Sequence, residues 1–400
     1  MSPPPPRVRA LVAYDQKTLF DLIAEPRLEV VRLFDPDRPP DLIVLPCPRA
    51  DAAFEKLTPP MPAEVWARAG VVFDGSAEGP ELTAWYRERA KRFLAARGVP
   101  ETRCVFITQN RLTRWPSVAV LHDDYWIRRL LPRTEAEGQA AFELRYAAFQ
   151  ARPRQRPKRF LSLNFTPRPS KILFLLSLLR DDLWDQGYVS FGGFADLERN
   201  RGRDRQGVRE EIIDLPEFEG MGIELAPWLD ALESKGQILF GKMRSMGEWT
   251  KKPTSATLLA QYGRSWFSVT AESEMTSTIQ RVTEKSFKAL MSFHSQVIFG
   301  AAGALQLLRS FGFESFSPSI DERYDGEAST PRRFQMAYAE VLRLTRSEES
   351  ELARMEAALH EVLVANARRA LVELPAEYRR RRDPQLVDEL LKLPLTFAPS

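Results

Sequence analysis

The fold of this protein is decided by residues 266–325, which read WFSVTAESEMTSTIQRVTEKSFKALMSFHSQVIFGAAGALQLLRSFGFESFSPSIDERYD. Two short apolar runs in this stretch, Trp266–Thr270 and Gln296–Phe299, are typical of buried strands. The residues between these runs predict a helix over Thr283–Phe293, and a second helix is predicted at residues 302–311. Strands that alternate with helices in this way predict βαβ units and a mostly parallel sheet.

The same alternation of strands and helices extends over most of the chain. Strands are also predicted at residues 8–14, 28–33, 41–45, 70–73, 103–108, 117–121, 159–164 and 188–191. We therefore predict an α/β protein of the GT-B-like kind, with two Rossmann-like domains and a C-terminal helical extension. The predicted segments are an N-terminal α/β domain of residues 1–131, a linker of residues 132–158, a Rossmann-like domain of residues 159–330 and a helical tail of residues 331–400.

The composition narrows the classes of function. The formal net charge is only +3, so no overall field favours nucleic acid as a partner. Cys47 and Cys104 are the only cysteines, which predicts no disulfide framework and suits a reducing compartment. The sequence has three histidines and no paired cysteine spacing, so we expect no metal site.

No segment of the sequence predicts a signal peptide or a membrane span. The opening MSPPPPR lacks an apolar stretch. The longest strongly apolar run, Ile172–Leu179, is far shorter than the roughly 20 residues that a spanning helix needs. We therefore expect a cytoplasmic protein. Arg379–Arg382 leaves two interpretations open, a peripheral contact with anionic lipid or, more simply, a solvated helix face.

Basic residues are concentrated just before and inside the second predicted domain. Seven of them, and no acidic residue, lie between Ala151 and Lys171. For the first three of these, at positions 152, 154 and 156, we prefer the interpretation of a solvated linker. Arg168 and Lys171 stand where a predicted helix begins, and for these two we expect contact with a phosphate group.

The residues around the predicted strand end at position 270 suggest a phosphate site. Glu272 follows the strand at its carboxyl end, where ligands bind in open α/β sheets. Thr283 is placed to cap a helix whose first turn holds Glu284 and Lys285. The helix start and the lysine favour a phosphate, and Glu284 could accept hydrogen bonds from ribose hydroxyls. From spacing alone, we favour the interpretation of these two charges as a solvated surface pair.

This segment resembles the donor-binding half of the inverting fucosyltransferases. That family has a phenylalanine and a glutamate before a Thr-Glu-Lys motif, then an apolar strand and a glycine. The matching residues here are Phe267, Glu272, Val282, Thr283, Glu284 and Lys285, followed by residues 297–300. The resemblance implies that Glu284 binds ribose and that Lys285 binds donor phosphate.

Two features depart from the fucosyltransferase pattern. Arg281 stands where that family has tyrosine, and the extension FGFESF with DERYD, residues 311–325, is not part of its signature. These features are closer to an uncharacterised group of bacterial and viral glycosyltransferase-like proteins. The resemblance therefore implies a nucleotide-sugar donor, with a GDP-sugar as one option, and leaves the sugar open.

An inverting sugar transfer also needs a base that takes the proton of the acceptor hydroxyl. Asp74, at the end of a predicted strand, and Asp123, after another, are the candidate catalytic carboxylates. A structural role in a turn is the alternative for either of them. We assign no Asp-x-Asp triplet of this sequence to a metal site. We therefore expect a metal-independent mechanism without a cofactor.

The sequence thus predicts a glycosyltransferase that moves a sugar from a nucleotide donor to a glycan or protein acceptor. Arg168, Lys171, Glu272, Thr283, Glu284 and Lys285 are the predicted donor-binding residues. The alternative is a non-catalytic scaffold or interaction protein that has kept such a fold. The absence of an obvious base in the sequence supports this alternative.

Overall fold

The computed structural model describes residues 6–12, 18–47, 54, 58, 60–77, 82–194, 204–214, 225–240 and 256–395. The chain divides into two compact units. Unit 1 consists of residues 1–129 and 376–400, and unit 2 of residues 130–375. Each unit has a parallel sheet flanked by helices, so the predicted α/β class is confirmed. None of the helices described is long and apolar enough to cross a bilayer.

Unit 1 contains a six-stranded parallel sheet. Its strands are β1 (Val8–Val12), β2 (Leu28–Val31), β3 (Leu42–Pro46), β4 (Gly70–Gly75), β5 (Cys104–Thr108) and β6 (Ala119–His122). Their order across the sheet is β2-β1-β3-β4-β5-β6. The central strands β3 and β4 are buried over nearly their whole length. A parallel strand that is covered on both faces requires such an unbroken apolar run.

In the described part of the chain up to the boundary between the units, the helices are α1 (Ala63–Arg68), α2 (Ala84–Ala95) and α3 (Tyr125–Leu130). Helix α3 ends at this boundary. Helix α2 begins after Thr83, whose side chain accepts a hydrogen bond from the backbone N–H of Tyr86. Its buried face carries Tyr86, Ala90 and Phe93 at helical spacing. These side chains belong to the apolar core on one face of the sheet.

The C-terminal helix, Asp383–Leu395, also belongs to unit 1. Leu386, Val387 and Leu390 are buried in the core that includes Val8 and other residues of the first strands. The structure therefore groups residues 376–400 with the first sheet, whereas the sequence analysis expected a separate tail over residues 331–400. The reason is that the apolar face of this helix is covered by strands almost 400 positions earlier in the chain.

Unit 2 contains a four-stranded parallel sheet with a reversal in strand order. Its strands are β7 (Phe160–Ser162), β8 (Gly187–Val189), β9 (Phe267–Ala271) and β10 (Gln296–Phe299), in the order β10-β9-β7-β8. The chain forms β8 on one side of β7 and then returns to the other side to form β9. In open α/β sheets ligands bind at such a switch point, outside the carboxyl ends of the strands. We call the residues that follow β7 and β9 here, from Asn164 to Lys171 and from Glu272 to Lys285, the switch-point edge.

In the part of unit 2 that the structure describes, ten helices and several shorter turns accompany the sheet. The helices are α4 (Glu135–Gln150), α5 (Pro169–Arg180), α6 (Arg205–Asp214), α7 (Leu225–Ser234), α8 (Ala256–Gly263), α9 (Glu284–Leu290), α10 (Ala304–Ser310), α11 (Thr330–Arg346), α12 (Glu349–Ala358) and α13 (His360–Arg368). Turns of π-helix follow at Arg369–Glu373 and, in unit 1, at Tyr378–Arg382, on either side of a short helix at Leu374–Glu377. The apolar run noted in the sequence lies in α5, where it is almost wholly buried. The helical character expected after residue 331 is confirmed.

The predicted linker is more ordered than its composition suggests. Helix α4 occupies most of it, and Thr134 caps this helix by accepting a hydrogen bond from Glu137 N–H. Arg152 and Arg156 are not solvated, because both guanidinium groups pair with Glu356, each with an N–O distance of 2.9 Å. The prediction of solvated side chains is therefore wrong for these two arginines. Their partner lies about 200 positions away and could not be identified from local sequence.

Gly192 allows the loops after β7 and β8 to lie against each other. A Cβ atom at this position would lie 2.0 Å from the carbonyl oxygen of Phe165, the residue after Asn164. We expect Gly192→Ala to lower the free energy of unfolding by about 2 kcal/mol, because a backbone atom must move to make room. Urea unfolding would measure this change, with Gly326→Ala as the comparison for a glycine whose Cβ would meet no neighbour. A change below about 0.5 kcal/mol for Gly192→Ala, typical of unconstrained surface sites, would contradict this close packing.

Candidate functional site

Glu272 organises the switch-point edge from the end of β9. Its side chain is 1% exposed and accepts hydrogen bonds from Thr283 N–H at 3.0 Å and from Ser286 Oγ at 2.7 Å. The hydroxyl of Thr283 donates to the second carboxylate oxygen. Thr283 in turn caps α9, as predicted, by accepting from Lys285 N–H at 3.4 Å. Glu272 therefore fixes the start of α9 against the strand end.

Glu284 lies in a cluster of lysines at the start of α9. It is 4% exposed, which excludes the interpretation of a solvated surface pair. Burial by itself raises the pKa of Glu284, but Lys285, Lys288 and Lys171 outweigh burial and lower it to about 2. Lys285 Nζ lies 3.5 Å from Glu284 Oε1 and donates to Thr283 Oγ1 at 2.9 Å. The motif predicted to bind ribose and phosphate is thus a compact group with one carboxylate among three amines.

Lys171 is buried in the first turn of α5 without a protein partner. Its side chain is 4% exposed, and no hydrogen bond or ion pair joins its amine to any residue that the structure describes. Burial, and after it the charges of Lys285 and Arg168, lowers the pKa of Lys171 to about 7. Helix α5 and helix α9 thus bring two of the predicted phosphate-binding lysines into electrostatic contact.

Two neutral polar side chains at the same edge also have an atom that forms no hydrogen bond with the residues that the structure describes. Ser170 is 2% exposed, and its hydroxyl forms no hydrogen bond. Asn164 is likewise 2% exposed, and its side-chain oxygen has no partner although its amide nitrogen donates to Ser162 Oγ at 3.0 Å. Buried polar groups in native proteins are normally hydrogen-bonded, so each of these requires an explanation. A bound ligand is an explanation that also accounts for the buried amine of Lys171.

Arg281 and Arg168 are both directed at Glu274. Arg281 Nε donates to Glu274 Oε2 at 2.8 Å, and Arg168 Nη1 lies 3.4 Å from Glu274 Oε1. Burial raises the pKa of Glu274, but these two arginines outweigh burial and keep it below its ordinary value. Glu274 thus joins the loop after β9 to the residue that precedes α5, and Arg281, which replaces the tyrosine of the fucosyltransferase pattern, holds Glu274 within that loop.

Comparisons of the chain with protein-family models, with curated proteins and with solved structures found no match. The geometry of the site therefore has to be interpreted from its own residues. Among the residues that the structure describes, no three His, Cys, Asp or Glu side chains are grouped so that they could hold a metal ion.

The two candidate catalytic carboxylates lie in unit 1. Asp74 stands in β4 with 8% of its surface exposed, and its Oδ1 accepts from the backbone N–H and the hydroxyl of Ser76, at 3.0 and 2.6 Å. This is the turn role that the sequence allowed as an alternative. Asp123 follows β6, and both of its oxygens are bound by Arg128, at 2.7 and 2.6 Å. Arg128 also pairs with Asp383 of the C-terminal helix. The geometry thus gives Asp123 a structural function.

Four polar residues at or beside this edge were not predicted as site residues: Asn164, Ser170, Glu274 and Lys288. Asn164 ends the strand predicted at residues 159–164 and Ser170 lies where the next helix is predicted to begin, so their position was available. Their lack of a hydrogen-bond partner could not be predicted from the sequence, because it depends on which groups the fold brings near them. Lys288 is one helical turn beyond Glu284, and this spacing was the signal that could have found it.

Proposed function

We propose that unit 2 binds the phosphate and sugar groups of a nucleotide-sugar at the switch-point edge, and that the protein is a GT-B-like glycosyltransferase. The observation that carries this proposal is a set of three polar groups, on nearly buried side chains, that form no hydrogen bond with any residue that the structure describes. Lys171, 4% exposed, offers its Nζ as a donor. Asn164 Oδ1 is a buried acceptor and Ser170 Oγ can be either donor or acceptor. A ligand that satisfies all three has both an anionic acceptor and hydroxyl donors.

The charges at this edge support an anionic ligand. Glu272 is occupied by the donors of Thr283 and Ser286, and Glu274 is paired with two arginines. Glu284 lies among the three amines, and Glu272 lies 3.9 Å from Lys285 Nζ. Because Glu272 and Glu274 are engaged by other donors, cationic charge at the site exceeds the carboxylate charge that is available to it. A phosphate group would replace the water that these amines lose on burial and would restore their counter-charge.

The binding test is a thermal-shift series with GDP, UDP, CMP and dTDP. A ligand at 100 times its Kd adds about 2.7 kcal/mol to the free energy of unfolding, which shifts the melting temperature by several degrees. We expect one nucleotide to give this shift and Lys285→Ala to reduce its affinity at least tenfold, because the variant removes a charged contact to phosphate. Lys235→Ala, at an exposed lysine of the same unit, is the matched control and should bind as the wild type does.

The absence of a shift with every nucleotide at millimolar concentration would refute the proposed donor site. A shift that Lys285→Ala and Lys235→Ala reduce equally would place binding elsewhere in the protein. Transfer itself is tested separately, by hydrolysis or turnover of the sugar conjugate of whichever nucleotide binds.

A non-catalytic role is favoured by one specific observation. Asp123 is held at both oxygens by Arg128, and Asp74 serves a turn, so neither carboxylate is shown in the position of a base. Within the transferase proposal we assign the base to Asp74, and Asp74→Asn should then abolish turnover while nucleotide binding persists. Nucleotide binding without any turnover in the wild-type protein would support a binding module instead.

A further inference from the structure

The amine of Lys171 differs from the other amines at the switch-point edge. Lys285 Nζ donates to Ser273 Oγ at 3.2 Å and to Thr283 Oγ1 at 2.9 Å, so protein groups orient it. Lys171 Nζ has no such acceptor among the residues that the structure describes, and its side chain is 4% exposed. An amine that no acceptor holds keeps its lone pair available as a nucleophile whenever it is unprotonated.

The charged groups around Lys171 favour the unprotonated amine. Lys285 and Arg168 are the two cations that act on it, and Glu284 and Glu272 are the two carboxylates. Glu272 already accepts three hydrogen bonds from Thr283 and Ser286, and Glu284 lies beside Lys285. Neither carboxylate is joined to Lys171 by a hydrogen bond or an ion pair. Both raise the pKa of its amine through their charge, but burial and the two cations outweigh them. The same cations would attract a phosphate to this position.

We propose that Lys171 forms an imine with ligands that carry an aldehyde or ketone near a phosphate group. The lone pair of Nζ attacks the carbonyl carbon, and a proton moves from nitrogen to the carbonyl oxygen to give a carbinolamine. Loss of one water molecule then gives the carbon–nitrogen double bond, so no oxidant or reductant is needed. This activity rests on the phosphate-binding part of the proposed function and does not depend on glycosyl transfer.

Pyridoxal 5'-phosphate tests this inference, because it places an aldehyde and a phosphate on one small ring. The protein is incubated with the probe, the imine is reduced with borohydride, and the labelled lysine is located by peptide mass spectrometry. We expect Lys171 to be labelled at least tenfold faster than any other lysine, and at least tenfold faster than by pyridoxal without phosphate. The rate should rise as the pH increases from 6 to 8, since burial and the neighbouring cations lower the pKa of this amine to about 7.

Two variants complete the experiment. Lys171→Arg keeps a positive charge but cannot form an imine, so it should lose the label, whereas Lys235→Met should keep it. Label spread over exposed lysines, or an unchanged yield in Lys171→Arg, overturns the inference. Equal rates with pyridoxal and its phosphate overturn it as well, because the phosphate then contributes nothing. If a nucleotide binds and Lys171 is nevertheless unlabelled, the imine is refuted while the proposed nucleotide site stands.

Discussion

Lys171→Met is expected to make the protein more stable at pH 6 while weakening its binding of phosphate ligands. The wild-type side chain is 4% exposed and has no partner in the described part of the chain, so burying its charge costs free energy that the variant does not lose. We expect the free energy of unfolding to rise by about 3 kcal/mol, and nucleotide affinity to fall at least tenfold. A gain of stability together with a loss of binding is the signature of a residue placed for function.

The pH dependence follows from the lowered pKa of Lys171, about 7 in the folded protein against an ordinary value of 10.5. Below pH 7 both folded and unfolded chains carry this charge, and the wild type bears the full cost. Above pH 7 the folded chain releases the proton before the unfolded chain does, so wild-type stability rises with pH relative to the variant. The advantage of Lys171→Met should therefore shrink between pH 6 and pH 9.

Urea unfolding of both proteins at pH 6 and pH 9 measures this difference. Lys235→Met, which changes an exposed lysine to the same residue, is the control and should change stability by less than about 0.5 kcal/mol at either pH. A Lys171→Met variant that is less stable than the wild type at pH 6 would show that the amine stabilises the fold and is satisfied within it.

Arg128→Leu is expected to destabilise unit 1 by about 3 to 5 kcal/mol, because it leaves two buried carboxylates without their cation. The side chain of Arg128 is 3% exposed and those of Asp123 and Asp383 are 9% and 2% exposed. Burial disfavours the charged guanidinium, yet the two carboxylates outweigh burial and raise the pKa of Arg128. Asp383 also accepts a hydrogen bond from Ala24 N–H at 2.8 Å, so the group joins three segments of unit 1.

The matched control is Arg381→Leu. The side chain of Arg381 is 63% exposed, and among the described residues its guanidinium pairs only with Glu377, four residues earlier. We expect it to cost less than 1 kcal/mol. Combining Arg128→Leu with Asp123→Asn should recover part of the lost stability, because one unpaired charge is removed. Equal effects of the two arginine variants would contradict the structural function that we assign to Asp123.

Much of unit 2 could be predicted from short stretches of sequence. The apolar runs around positions 267–271 and 296–299 are strands because their residues suit burial on both faces of a parallel sheet. Thr283 caps a helix because its hydroxyl reaches an N–H two residues later. The expected proximity of Arg168 and Lys171 to the Thr-Glu-Lys motif also follows, since parallel strands end at one edge.

The sequence by itself thus determined the α/β class, the strand and helix types and the edge at which charged residues collect, because these depend on neighbours within a few positions. Only the tertiary structure decided the state of each charge. Arg156 pairs with Glu356, Asp123 shares Arg128 with Asp383, and Lys171 has no partner among the residues that the structure describes. Burial and pairing depend on groups far apart in the chain, such as Ala24 and Asp383, which lie 359 positions apart. The same lysine or aspartate is therefore solvated, structural or reactive according to what the fold places beside it.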